Sequence, residues 1–148
     1  MNRRVVLFFA FVPFLSPPVR AQSAEPLPPM STITFAPGTR TSDVKGHLSP
    51  GGRFPYYVAA KAGQTLTVSA SSSAGTVTFQ VFHPDATLTR APDGMALVRG
   101  RTLPDAGPTD DARAWIGAIP KNGNYLILVG MAVSARAPAP YTLTVALQ

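Results

Sequence analysis

From residue 31 onward the chain repeats one pattern. Apolar side chains fall at every second position, in short runs, and each run is closed by proline or glycine. Leu66, Val68 and Ala70 alternate with Thr65, Thr67 and Ser69; Val77, Phe79 and Val81 alternate with Thr78 and Gln80. Phe54, Tyr56, Val58 and Ala60 share one face, as do Tyr141, Leu143, Val145 and Leu147. A period of two is that of a strand with one buried face. No run has the helical period over a helix-forming length, and 16 Pro with 12 Gly in 148 residues leave little room for helix interiors. Turn signals such as Pro37-Gly38, Pro50-Gly51-Gly52 and Lys121-Asn122-Gly123 punctuate the runs. The expectation is an all-β chain: an antiparallel β-sandwich, jelly-roll-like, of about eight or nine strands. Asn124 to Met131 is apolar almost throughout and is expected as a central strand covered on both faces. The stretch from Ala86 to Asp111 is less legible, with a strand expected at Met95 to Val98 and a loop from Pro104 to Asp111.

The first residues read as an address. Arg3-Arg4 precede an apolar run from Val5 to Leu15, and Val19 and Ala21 are small residues placed for cleavage. That is the layout of a secretory signal peptide over residues 1–21. The run is broken by Pro13 and too short to cross a bilayer, so no stable membrane insertion is expected after cleavage. Residues 22–30, with Pro26, Pro28 and Pro29, read as a flexible tether, and 31–148 as a single sandwich domain. The destination is periplasmic or secreted. Losing Arg3, Arg4 and Arg20 lowers the formal charge from +6 to +3. Charged residues make up 14% of the chain without a dense basic tract, which excludes a nucleic-acid binder. The absence of cysteine excludes disulfides, thiol catalysis and a lipidated cysteine.

Catalytic chemistry finds little to use. The histidines are His47 and His83, read as an outward strand residue and a strand end, with no nucleophile signature around either. Two histidines far apart and no cysteine do not make a zinc site. Asp105, Asp110 and Asp111 cluster in a Gly/Pro loop but lack the regular spacing of a calcium loop, and calcium there is left open. Neither a catalytic residue nor a cofactor is assigned. What remains is surface: Arg53 before Phe54, Tyr56 and Tyr57; Arg90, Arg99, Arg101 and Arg113 in the middle; Arg136 before the last strand. Arginine and tyrosine supply much of the binding energy at interfaces.

Three stretches carry a family resemblance. Ile33-Thr34-Phe35-Ala36-Pro37-Gly38-Thr39 leads to Val44-Lys45-Gly46. Tyr56-Tyr57-Val58 runs on to Ala62-Gly63-Gln64-Thr65-Leu66-Thr67-Val68, and Gly123-Asn124-Tyr125 precedes Tyr141-Thr142-Leu143-Thr144-Val145. Together they resemble the bacterial periplasmic inhibitors of goose-type (g-type) lysozyme and, more loosely, the pre-peptidase C-terminal (PPC-like) β-sandwich modules. The resemblance implies a jelly-roll-like sandwich, a non-enzymatic role, and inhibition by blocking a lysozyme cleft. By the same resemblance Arg136 corresponds approximately to the inhibitors' basic residues between the last two strands, and Tyr56, beside Arg53, fits their tyrosine. The expected partner is a g-type lysozyme or another cell-wall-associated protein or glycan. The alternative function is an accessory or glycan- and peptidoglycan-binding module.

Overall fold

The alternating runs become ten strands: β1 (Ser31–Ile33), β2 (Thr41–Leu48), β3 (Arg53–Ala60), β4 (Thr65–Ser72), β5 (Val77–Phe82), β6 (Thr87–Arg90), β7 (Ala96–Arg99), β8 (Ala114–Ala118), β9 (Gly123–Met131) and β10 (Ala139–Leu147). The structure is a computed structural model and describes residues 30–148. The signal peptide at 1–21 and all but the last residue of the tether at 22–30 lie outside the described residues.

One sheet has the order β1-β3-β9-β5, the other β2-β10-β4-β8, and β6-β7 form a separate hairpin. All pairings are antiparallel except β1 with β3. Apart from the hairpin, successive strands alternate between the sheets. That winding, with β2-β10-β4-β8 facing β3-β9-β5, is the jelly-roll order expected from the sequence. The strand that would complete the first sheet beyond β5 is replaced by the irregular segment 100–113. It touches β5 through isolated bridges at Phe82–Thr102 and Phe79–Ala112, while Val81 N–H donates to Ala106 O at 3.0 Å. The strand count exceeds the expectation because the region after β5 makes a hairpin from Thr87–Arg90 and Ala96–Arg99, and only its second half was anticipated. Thr87 to Arg90 is too short and too exposed to announce itself by alternation.

The core lies between the two sheets. Its inner rows read directly from the register: Tyr56–Ile127–Val81 and Phe54–Val129–Phe79 in the first sheet, Leu143 between Val44 and Ala70, and Val145 between Ser42 and Val68 in the second. Leu103 and Ala106, from the irregular segment, close the core beside β5. The outer face of the second sheet carries Thr67, Ser69, Thr142 and Thr144, and Thr144 Oγ1 donates to Asp43 Oδ1 at 2.6 Å.

Strand β9 sits between β3 and β5 and is covered on both faces, as its sequence requires. On its inner face Tyr125, Ile127 and Val129 enter the main core; on its outer face Leu126 and Leu128 join Phe82 in a second cluster with Tyr57, Ala86 and Val98. The β6-β7 hairpin therefore lies over the outside of the first sheet and supplies the second cover.

Two aromatics occupy space that glycines leave. Tyr141 lies against Gly46, its register partner, and Trp115 lies over Gly117; a Cβ at either glycine would collide with the ring. Trp115 Nε1 then donates to Pro104 O at 2.8 Å and fastens the irregular segment to the sandwich. Tyr141 reaches the other sheet, where its hydroxyl stands 2.6 Å from that of Tyr56. Burial and this hydrogen bond push the Tyr141 phenol well above its usual range. The native state thus favours the protonated phenol. The contribution is complete below about pH 10 and drains away as the pH climbs above it, because the unfolded chain releases the proton there and the folded chain does not. Denaturation titrations should show stability falling above that pH, with Tyr141→Phe removing part of the fall. At neutral pH the same substitution should cost about 1–3 kcal/mol, since it leaves the Tyr56 hydroxyl buried without its partner.

Candidate functional site

One end of the sandwich gathers the loops 49–52, 73–76 and 132–138. The first and last are stitched together: Gly51 N–H donates to Met131 O at 3.2 Å, and Met131 N–H donates to Gly52 O at 3.0 Å. Gly51 has φ +75° and sits against Val133, so the turn needs a residue free of Cβ strain. Beyond that junction the 132–138 loop is mostly exposed, with Ala135 alone packed back against the core. Ala135 N–H closes a turn on Ala132 O at 3.1 Å, Val133 is 84% exposed, and Arg136 is exposed at the loop's far side.

The residues singled out in the sequence do not all reach this surface. Arg136 is on the loop, and Arg53 opens β3 at the same end, opposite Gly130 of β9. Tyr56 is not a surface residue: it is 3% exposed, with its hydroxyl held by Tyr141. The alternation that gives Phe54, Tyr56 and Val58 a common face carries the ring inward, where it packs at 4.9 Å from Phe54. Its place is to brace β3 against β10, directly behind the loops.

The histidines do not meet. His47 is exposed on β2 near this end, in register with Pro140. His83 follows β5, with its ring 6.4 Å from Tyr125 and toward the opposite end, where Lys121 and Asp85 pair at 3.7 Å. It is half-buried rather than a plain surface residue. The Asp loop is held by its own geometry. Asp110 Oδ2 accepts from Gly107 N–H at 2.6 Å, and Asp105 and Asp111 take positive φ values of 59° and 45°. Among the described residues no three His, Cys, Asp or Glu side chains converge as metal ligands.

The sequence did not show that Arg101 and Arg113 would come to the same side of the first sheet as Arg53, where all three border a continuous hollow with Gln80. Both sit in or beside the irregular segment, whose path no local pattern encodes.

No protein-family model and no curated protein matches the chain. Among solved structures, the periplasmic inhibitor of g-type lysozyme (PliG) from Aeromonas hydrophila is 30% identical, with a TM-score of 0.58 over 80% of this chain and 96% of that one. The chain belongs to this inhibitor family. The PliG proteins of Salmonella Typhimurium and Escherichia coli, the latter a mutant, share the fold at 16% and 17% identity, with TM-scores of 0.56 and 0.55 and 97% of each covered.

The Asp loop provides a check on the metal question. Adding millimolar calcium or a chelator should leave the thermal midpoint unchanged. Asp110→Ala should lower the midpoint, because losing one charge-assisted hydrogen bond costs about 1–3 kcal/mol of stability. A calcium-dependent midpoint would assign the loop to metal instead.

Proposed function

We propose that this protein is an exported, non-enzymatic inhibitor of g-type lysozyme that works in the periplasm by occupying the enzyme's substrate cleft. The supporting observation is its 30% identity to the Aeromonas inhibitor across nearly the whole of that protein. In this reading residues 1–21 direct export, residues 22–30 tether, and the domain 31–148 inhibits.

The loop end gives the mechanism its parts. A glycosidase cleft is lined by carboxylates, and Arg136 on the exposed 132–138 loop can present its guanidinium to one of them as a two-pronged donor. Arg53, which opens β3 at the same end, adds a second cation on the neighbouring outer face of the first sheet. Tyr56 acts from behind: its hydroxyl bond to Tyr141 fixes the starts of β3 and β10, which carry the two loops. Nothing in this scheme requires a cofactor.

Cell-wall lysis by a purified g-type lysozyme should stop at micromolar excess of the protein. Arg136→Ala should weaken inhibition at least about tenfold, equivalent to about 1.4 kcal/mol. Arg136→Lys should recover part of it, because the charge remains and the fork does not. Tyr56→Phe should lower the thermal midpoint more than it weakens inhibition. Unimpeded lysis at that excess would overturn the reading.

A further inference from the structure

The outer face of the first sheet is covered over only part of its length. The hairpin rests on the row Tyr57–Leu126–Phe82 and on Leu128. Beyond it the row Arg53–Gly130–Thr78, with Gln80, is left as the floor of a groove. Two adjoining hollows of about 610 and 360 Å³ make up the groove and share Arg53 and Gln80. Val98, Arg101, Thr102 and Pro108 wall the larger, and Thr76, Asp111 and Arg113 the smaller.

Three features of this groove lack a structural purpose. Arg53, Arg101 and Arg113 all border it, against a single carboxylate, Asp111, and among the described residues none of the three guanidinium groups has an ion-pair partner. Their backbones are nonetheless pinned. Arg53 is in the ladder opposite Gly130, Arg101 O accepts from His83 N–H at 2.9 Å, and Arg113 O accepts from Ala70 N–H at 2.8 Å. The Thr76 hydroxyl is sealed from solvent and has no hydrogen-bond partner among the described residues. Finally, Gly130 interrupts the most buried strand without a conformational reason. Its φ is not positive, and a Cβ there would meet Arg53 Cγ at an ordinary 3.8 Å. Glycine inside a strand costs stability and commonly marks the close approach of something else. Here it keeps the floor clear between Arg53 and Thr78.

The lining also selects the ligand. The apolar side chains are Phe82 and Met131, 6% and 5% exposed, with Val98, Pro108 and Ala132, so the groove has no exposed aromatic anchor of the kind that dominates protein interfaces. Its offer is three guanidinium forks for carboxylates, with amide and hydroxyl groups from Gln80, Thr78 and Thr102 for sugar hydroxyls. We propose that the groove, which starts at the root of the Arg136 loop at Ala132 and runs along the outer face of the first sheet, is a binding site for a carboxylate-bearing glycan strand. A protein in the cell-wall compartment would then hold the polymer directly as well as meeting an enzyme that cuts it.

The test uses no lysozyme, so it stands apart from the inhibitory reading. Soluble peptidoglycan fragments with free carboxylates, and the same fragments with those carboxylates amidated, are titrated into the purified protein by calorimetry. The free fragments should bind at least tenfold tighter than the amidated ones. The double substitution Arg101→Ala with Arg113→Ala should weaken binding at least tenfold, and Gly130→Val, which suits a strand and fills the floor, should do the same. Lys121→Ala, at the other end, should leave binding unchanged. Should Gly130→Val fail to fold, the double variant carries the test, because both its arginines are exposed. Equal binding of the two fragment forms, unaltered affinity in the double variant, absence of binding by the wild type at millimolar fragment, or tighter binding of polyglutamate than of the fragments would each overturn the proposal. The last result would point to an acidic protein.

Discussion

Strand β9 must be covered twice, and the rest of the architecture answers that demand. Its sequence puts apolar side chains on both faces, so one sheet packed against it is not enough. The second sheet covers the inner face through Tyr125, Ile127 and Val129, and the β6-β7 hairpin covers the outer through Leu126 and Leu128. A hairpin of two four-residue strands cannot reach the whole face. It stops where β9 changes character, at Gly130 beside Arg53. The groove begins there, so core packing and the polar surface are two ends of one strand's pattern.

A second constraint acts between the sheets. A jelly roll joins strands that alternate between layers, and its pairings close long loops before they gain anything. Without a disulfide, register depends on side-chain fit. Tyr141 against Gly46 and Trp115 over Gly117 each require a glycine and an aromatic at matched positions. A slip of β2 against β10 by one residue would bring a Cβ under the Tyr141 ring and turn the inner rows outward, whereas the Trp115–Gly117 contact lies within β8 and fixes the ring's own direction. Both rings also carry a polar end, to Tyr56 and to Pro104 respectively. Those bonds reach beyond the second sheet and set where the first sheet and the irregular segment lie against it.

This distinguishes what the sequence reveals from what it hides. The strands from Thr41 to Phe82 and from Gly123 to Leu147 were legible because period-two burial is a local property of the chain, written in Leu66, Val68 and Ala70 or in Tyr141, Leu143 and Val145. β6 was not, because its four residues are partly or wholly exposed and Leu88 is its single apolar side chain, sharing the half-buried face with Arg90. The site was half legible. Arg136 could be placed in a loop from Pro138 and Pro140 alone. Tyr56 was assigned to the contact surface through resemblance, although its own alternation with Phe54 and Val58 already pointed it to the core. The meeting of Arg53, Arg101 and Arg113 depends on the path of the segment 100–113, which is set by hydrogen bonds to β5 and by the Trp115–Pro104 bond, none of them visible in a local pattern.

An inhibitor that does no chemistry works by occupancy, so its strength depends on how little freedom it must surrender on binding. The 132–138 loop is short, its root is tied to 51–52, and Pro138 and Pro140 lock φ where the chain re-enters β10. Such a loop presents one arginine with its backbone already committed. A longer loop with several arginines would gain contacts and lose more entropy in making them. One fixed fork aimed at a carboxylate can therefore match a more generous loop, provided that its direction is right. The Tyr56–Tyr141 hydroxyl pair ties β3 to β10, the strands that follow the two stitched loops. On the proposed reading, the buried tyrosines and the exposed arginine form a single device, in which loosening the core pair would weaken binding without removing any group at the proposed contact.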